Sequence, residues 1–169
     1  MDAGLLLARM VFGLLMAAHG TQKLFGWFGG YGLAGTAGFF EQLGFRPGRV
    51  FAATAAATEL TAGVLLAAGL LGPVGPALIV SVTIVAAATV HWQHGVFAQN
   101  NGIELPLLYG ATAATLALTG PGLYSLDAAL GLASLWTPAI AWSVLALGAL
   151  GGFANLALRR SAPAQTAAA

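Results

Sequence analysis

The chain contains no cysteine in 169 residues, and only 7% of its residues are charged. The first absence excludes dithiol redox chemistry, thiolate metal sites and a cysteine-borne lipid anchor on this chain itself. Any thiol chemistry belongs to a partner. The second excludes an ordinary water-soluble domain, in which roughly a quarter of the residues are charged. Six basic and five acidic residues leave a net charge of +1 and are scattered, so there is no basic patch for nucleic acid. Lysines are also missing from the N-terminus, where Asp2 stands, and Arg9 interrupts the first apolar run. That run is therefore expected to be a retained span and not a cleaved leader.

What is abundant is apolar: 59% of the residues are hydrophobic. The length allows one domain, and five apolar stretches of roughly 17–25 residues nearly fill it, each close to the ~20 residues a helix needs to cross a bilayer. Pro47, Pro73, Pro76, Pro106 and Pro138 each open such a run, where a missing N–H is not needed by the helix. The pattern predicts helices over Gly4–Phe28, Pro47–Leu71, Pro73–Gln93, Glu104–Thr119 and Trp136–Leu158. The expected architecture is all-α, a polytopic transmembrane bundle with four helices in residues 1–135, a fifth over 136–160 and a disordered tail over 161–169. A turn after the fourth helix leads into an expected interfacial helix over Leu126–Leu135. Gly148 and Gly152, four apart in the last helix, suit close helix approach in lipid.

Arg46 and Arg49 fall between helices one and two, and Arg159 and Arg160 follow helix five, on the same face of a five-span protein. The opposite loops hold no basic residue, and Arg9 can snorkel from helix one. The positive-inside rule places the N-terminus outside and the C-terminus in the cytoplasm.

Ionisable groups within spans are costly and are functional candidates by default. Here His19 and Lys23 lie late in helix one, Glu59 early in helix two, His91 and His94 at the end of helix three, and Glu104 at the start of helix four. Because alternate helices run in opposite directions, all six fall in one half of the membrane. His19 and Lys23 share a helix face at a spacing of four, as His91 and His94 do at three. At ~1.5 Å per residue, Glu59 and the His19–Lys23 pair lie at comparable depth. A carboxylate buried there pairs with a cation or takes up a proton. The alternatives are plain: Glu59 as a register-fixing ion pair, Lys23 snorkelling, the histidines beside Trp92 as interfacial residues, and Glu104 as a helix-dipole partner. The loop Gly26–Gly32 and the segment Asn100–Gly102 are glycine-rich, but neither follows a strand, so nucleotide binding is rejected.

His19-Gly20-Thr21-Gln22-Lys23-Leu24-Phe25-Gly26, then Gly38-Phe39-Phe40, Leu43-Gly44-Phe45-Arg46-Pro47, Glu59 with Gly63, His91, Gly102-Ile103-Glu104-Leu105-Pro106-Leu107-Leu108 and Gly120–Asp127 follow one another in a distinctive order. In order and spacing this resembles the DoxX family, over about residues 4–128. The resemblance implies a small membrane subunit associated with oxidoreductases, including thiosulfate:quinone oxidoreductase, with redox or sulfurtransferase partners and a bacterial inner-membrane location. The fifth helix departs from the shortest members and reads as an added docking span. The first functional expectation is a subunit of a quinone-linked or redox-stress complex, with His19, Lys23, Glu59, His91 and Glu104 around a quinone or proton pocket and no metal. A non-catalytic scaffold or anchor, a small-solute or proton carrier, and haem ligation by His19 and His91 are the alternatives, and a homo-oligomer is among the expected partners.

Overall fold

The computed structural model describes residues 1–160, and the tail expected over 161–169 lies outside the described residues. The chain begins with helix α1, Asp2–Phe25, which stops where Gly26 turns left-handed (φ 77°), three residues before the expected end. A short 3₁₀ turn leads to α2, Gly32–Gln42, in a stretch where the sequence suggested only a loop. Helix α3 covers Gly48–Ala68 and α4 covers Val74–Ala86. The latter continues through a π-helical turn, Ala87–His91, and a 3₁₀ turn to His94. Helix α5, Glu104–Thr119, has the expected bounds. The interfacial segment forms only a four-residue α6, Leu126–Ala129, before α7, Pro138–Ala157.

Four elements are long and apolar enough to cross a membrane: Asp2–Phe25, Gly48–Ala68, Val74–His94 and Pro138–Ala157. Exposed Leu7, Leu14, Val64, Leu147, Leu150 and Phe153 spread around their outer faces, an arrangement that only lipid accommodates. This is a multi-pass integral membrane protein. Helix α5, at 16 residues and about 24 Å, is shorter than the hydrocarbon core and packs against α4.

Hydrophobic driving force between helices is absent in lipid, so close packing must hold the bundle. The α1–α3 seam is built accordingly. A Cβ on Gly20 would lie 2.6 Å from Leu60 N, and one on Gly63 would lie 2.4 Å from both Ala17 N and Gly13 O. The α4–α7 seam repeats the device, with Gly148 and Gly152 against the backbone of Ala77 and Ser81. The core between the seams is Met16, Ala62, Leu66, Ile79, Ala113 and Leu116.

Three hydrogen bonds fix which helix ends share a face. At one end, Leu123 N–H donates to Asp2 Oδ1 at 2.8 Å. At the other, Arg160 N–H donates to Gly44 O at 2.9 Å and Arg159 Nε to Leu43 O at 2.5 Å. The first residue of α1 and the last turn of α7 are therefore at opposite ends of the bundle.

Candidate functional site

The Gly20 contact brings the backbones of α1 and α3 together beside Glu59, and one turn further along α1 stands Lys23. The result is an ion pair: Lys23 Nζ donates to Glu59 Oε2 at 2.5 Å. The Glu59 side chain is 11% exposed and that of Lys23 28%. This is the only direct ion pair among the described residues. Neither partner is saturated. The carboxylate accepts no other hydrogen bond from a described residue and the ammonium makes no second one, although each has capacity for more.

That capacity faces open space. A main cavity of about 260 Å³ runs beside α4 between α2, α3 and α7, lined by Lys23, Glu59 and His91 among its polar residues and by Phe40, Phe45 and Phe51 among its apolar ones. An inner cavity of about 190 Å³ shares those same three polar residues and adds His19 and Tyr109. An outer groove of about 610 Å³ lies between the end of α1 and α2, lined by Gln22, Tyr31 and Gln42, and it also reaches Lys23. Lys23 thus borders all three spaces, and the ion pair stands between the main and inner cavities.

The π-helical turn positions His91. One extra residue in the turn shifts the register of everything after it, and Thr89 Oγ1 donates to Val85 O at 2.8 Å within the widened turn. His91 Nδ1 lies 2.7 Å from Asn101 O. A carbonyl only accepts, so Nδ1 is the donor in this contact, and Nε2 has no hydrogen-bond partner among the described residues.

The remaining expected residues diverge. His19 is exposed on its outer side, with Nδ1 3.2 Å from Gln22 Oε1 and its ring edge-on to Tyr109 at 5.9 Å. Glu104 reaches back to its own loop, where its Oε2 accepts from Ala98 N–H at 2.8 Å, and it lines none of the three cavities. His94 is exposed and lines none either, so the expected His91–His94 pair does not share a cavity. Tyr109, half-buried against Phe12 and His19, was not anticipated. A single tyrosine in an apolar helix carries no positional signal.

A second polar constellation occupies the other end of the bundle. Asp127 is fully buried and accepts from Leu71 N–H (2.9 Å), Gly72 N–H (2.6 Å) and Trp136 Nε1–H (2.7 Å). Arg9, 2% exposed, faces Asp127 as countercharge without touching it and donates from Nη2 to Tyr124 O. Its Nε and Nη1 are buried without a partner among the described residues. Arg9 therefore does not snorkel as expected: its guanidinium lies against Gly69, where the absence of a Cβ leaves room for it, and is buried.

The DoxX family model matches residues 4–92, more than half of the chain. The chain belongs to the DoxX family. In this DoxX protein the matched segment includes His19, Lys23, Glu59 and His91 and stops short of the 4–128 stretch over which the sequence resembles the family. Glu104, Tyr109, Asp127 and α7 lie beyond it. No curated protein and no solved structure matches the chain significantly.

Proposed function

We propose that the Lys23–Glu59 pair is the head-group site of an intramembrane pocket for a lipid-soluble quinone, in a membrane subunit of a quinone-linked or redox-stress oxidoreductase complex. The observation that carries this reading is the incomplete bonding of a half-buried ion pair that borders two cavities together and a third through Lys23. An ammonium with free N–H groups donates to a carbonyl oxygen, and the aromatic wall of Phe40, Phe45 and Phe51 receives a flat ring. About 260 Å³ is on the order of nine water volumes, room for a substituted six-membered ring. The fit is therefore favourable in both size and donor set.

A bound quinone supplies two-electron, two-proton redox chemistry. This chain's residues bind and orient it and hold protons. Lys23 would donate a hydrogen bond to a ring oxygen, and Glu59 and His91, which line the same cavity, would relay the protons that reduction of the ring takes up. The electrons come from a partner, a redox or sulfurtransferase protein in the same complex. The arginines at the Arg160 end support an orientation with that end in the cytoplasm of a bacterial inner membrane and the pocket in the cytoplasmic half.

The test is mass spectrometry of lipids extracted from the protein purified natively, with its partners retained. Quinone in near-stoichiometric amount in the wild type, and its depletion in the double variant Lys23→Met/Glu59→Gln, is the expected result. Equal quinone in both preparations would refute the head-group assignment.

A further inference from the structure

Helix α7 meets α4 backbone to backbone at Gly148 and Gly152, where a Cβ on Gly152 would lie 2.9 Å from Ser81 O. Asn155 is three residues further on and so lies on the same helix face. Its amide lines the main cavity, as does Ser81 across the seam. Neither side chain makes a hydrogen bond to another described residue, whereas Ser125, Ser143 and most of the threonines do. This amide and this hydroxyl have no protein partner, on a wall that also carries the open hydroxyls of Thr54 and Thr58, and are available to an occupant of the cavity.

The two polar sides of the cavity come from different parts of the bundle. Lys23 arrives on α1, which packs against α3, and Asn155 arrives on α7, which packs against α4. The same cavity is lined by Phe40, Phe45 and Val85. We propose that Asn155 and Ser81 form a second polar subsite, separate from Lys23 and Glu59, so that the cavity selects flat apolar molecules bearing two hydrogen-bond acceptors over those bearing one. This rests on the reading of Lys23 and Glu59 as the first subsite. It also makes α7 a specificity element of the pocket, since only this helix supplies Asn155.

The alternative is that Asn155 and Ser81 turn toward each other and serve as helix glue. Equilibrium dialysis of the detergent-purified full chain with two probes separates the readings: duroquinone, with two opposed carbonyls, and isophorone, with one. The wild type is expected to prefer duroquinone. Asn155→Leu should lower duroquinone affinity about tenfold, one hydrogen bond's worth, and leave isophorone affinity and the melting temperature unchanged. Ser81→Ala should act in the same direction, less strongly, and serves as the readout should Asn155→Leu fail to fold. An equal loss for both probes, no loss for either, or a wild type without preference overturns the second subsite. Lys23→Met/Glu59→Gln should weaken both probes; if it changes neither, the first-subsite reading fails independently of the Asn155 result. A wild type that binds neither probe overturns both.

Discussion

The sharpest test of how this bundle is held together is Asp127→Asn, which keeps the shape of the side chain and removes its charge. Leu71 N–H donates to one carboxylate oxygen, while Gly72 N–H and Trp136 Nε1–H both donate to the other. An amide has one oxygen. If that oxygen takes the position of Oδ2, Leu71 N–H faces an NH₂ group; if it takes the position of Oδ1, two donors are left facing it. The better orientation still loses one hydrogen bond to a charged acceptor, about 1.5–3 kcal/mol, and weakens two more to neutral strength. It also removes the countercharge of Arg9, which is 2% exposed. Breaking a buried charge pair from one side costs about 3–5 kcal/mol, in line with that sum. For a chain of this length the melting temperature falls by on the order of 10 °C. Thermal unfolding in detergent, read by size-exclusion chromatography of the heated protein, measures it. Arg9→Met should cost less, because Asp127 keeps its three donors while Arg9 has only the Tyr124 carbonyl as acceptor. Trp136→Phe, removing one of the three bonds, should cost about 1.5–3 kcal/mol. A melting temperature of Asp127→Asn within about 2 °C of wild type would refute the reasoning, since it would mean that water already serves the carboxylate.

Three further outcomes follow from the same geometry. Glu59→Gln alone leaves Lys23 without its partner and should lower stability by about 3–5 kcal/mol, with Lys23→Met added recovering much of that loss; a cycle showing simple additivity in detergent unfolding would argue against the pair. Gly63→Leu should prevent normal assembly, because even its Cβ would stand 2.4 Å from Ala17 N and Gly13 O; a folded, monodisperse product in detergent would contradict the α1–α3 seam. An alkaline-phosphatase fusion at Ala169 should be inactive, as a cytoplasmic C-terminus requires, and a fully active fusion would invert the orientation and place the pocket on the periplasmic side.

The spans were legible because a bilayer imposes length and apolarity directly on sequence, and prolines mark several of their starts. Helix α5, too short to span, was legible to the residue from Pro106 near its start and Gly120 after its end. Helix α2 was not. Its sequence, Gly32 to Gln42, has three glycines and one charge, and its order comes from docking: Thr36 Oγ1 donates to Lys23 O, and Glu41 Oε1 accepts from Gly48 N–H. The Lys23–Glu59 pairing was legible as two opposite charges at equal depth on antiparallel helices. The roles of Glu104 and His94 were not, since each sits within a turn of a helix end and a local loop decides where it points. Asn155 escaped notice because an amide near the end of an apolar helix looks like an ordinary interfacial residue until the register against α4 is known.

Asp127 and Glu59 share a chemistry and a burial but differ in what surrounds them. At Asp127 three fixed donors, two of them backbone N–H groups, occupy the carboxylate, and none of the three cavities reaches it. Such a group has nothing left to offer a ligand, and its removal is paid in stability. At Glu59 a single flexible side chain supplies one bond, and the remaining oxygen capacity meets two cavities. Stability alone would favour saturating this carboxylate too, because each open polar position inside a bundle is a cost. Glu59 also sits on the rigid α3, locked at Gly63, so its incomplete bonding does not come from a loose scaffold. An open carboxylate held firmly in place is the arrangement that binding a ligand or moving a proton requires.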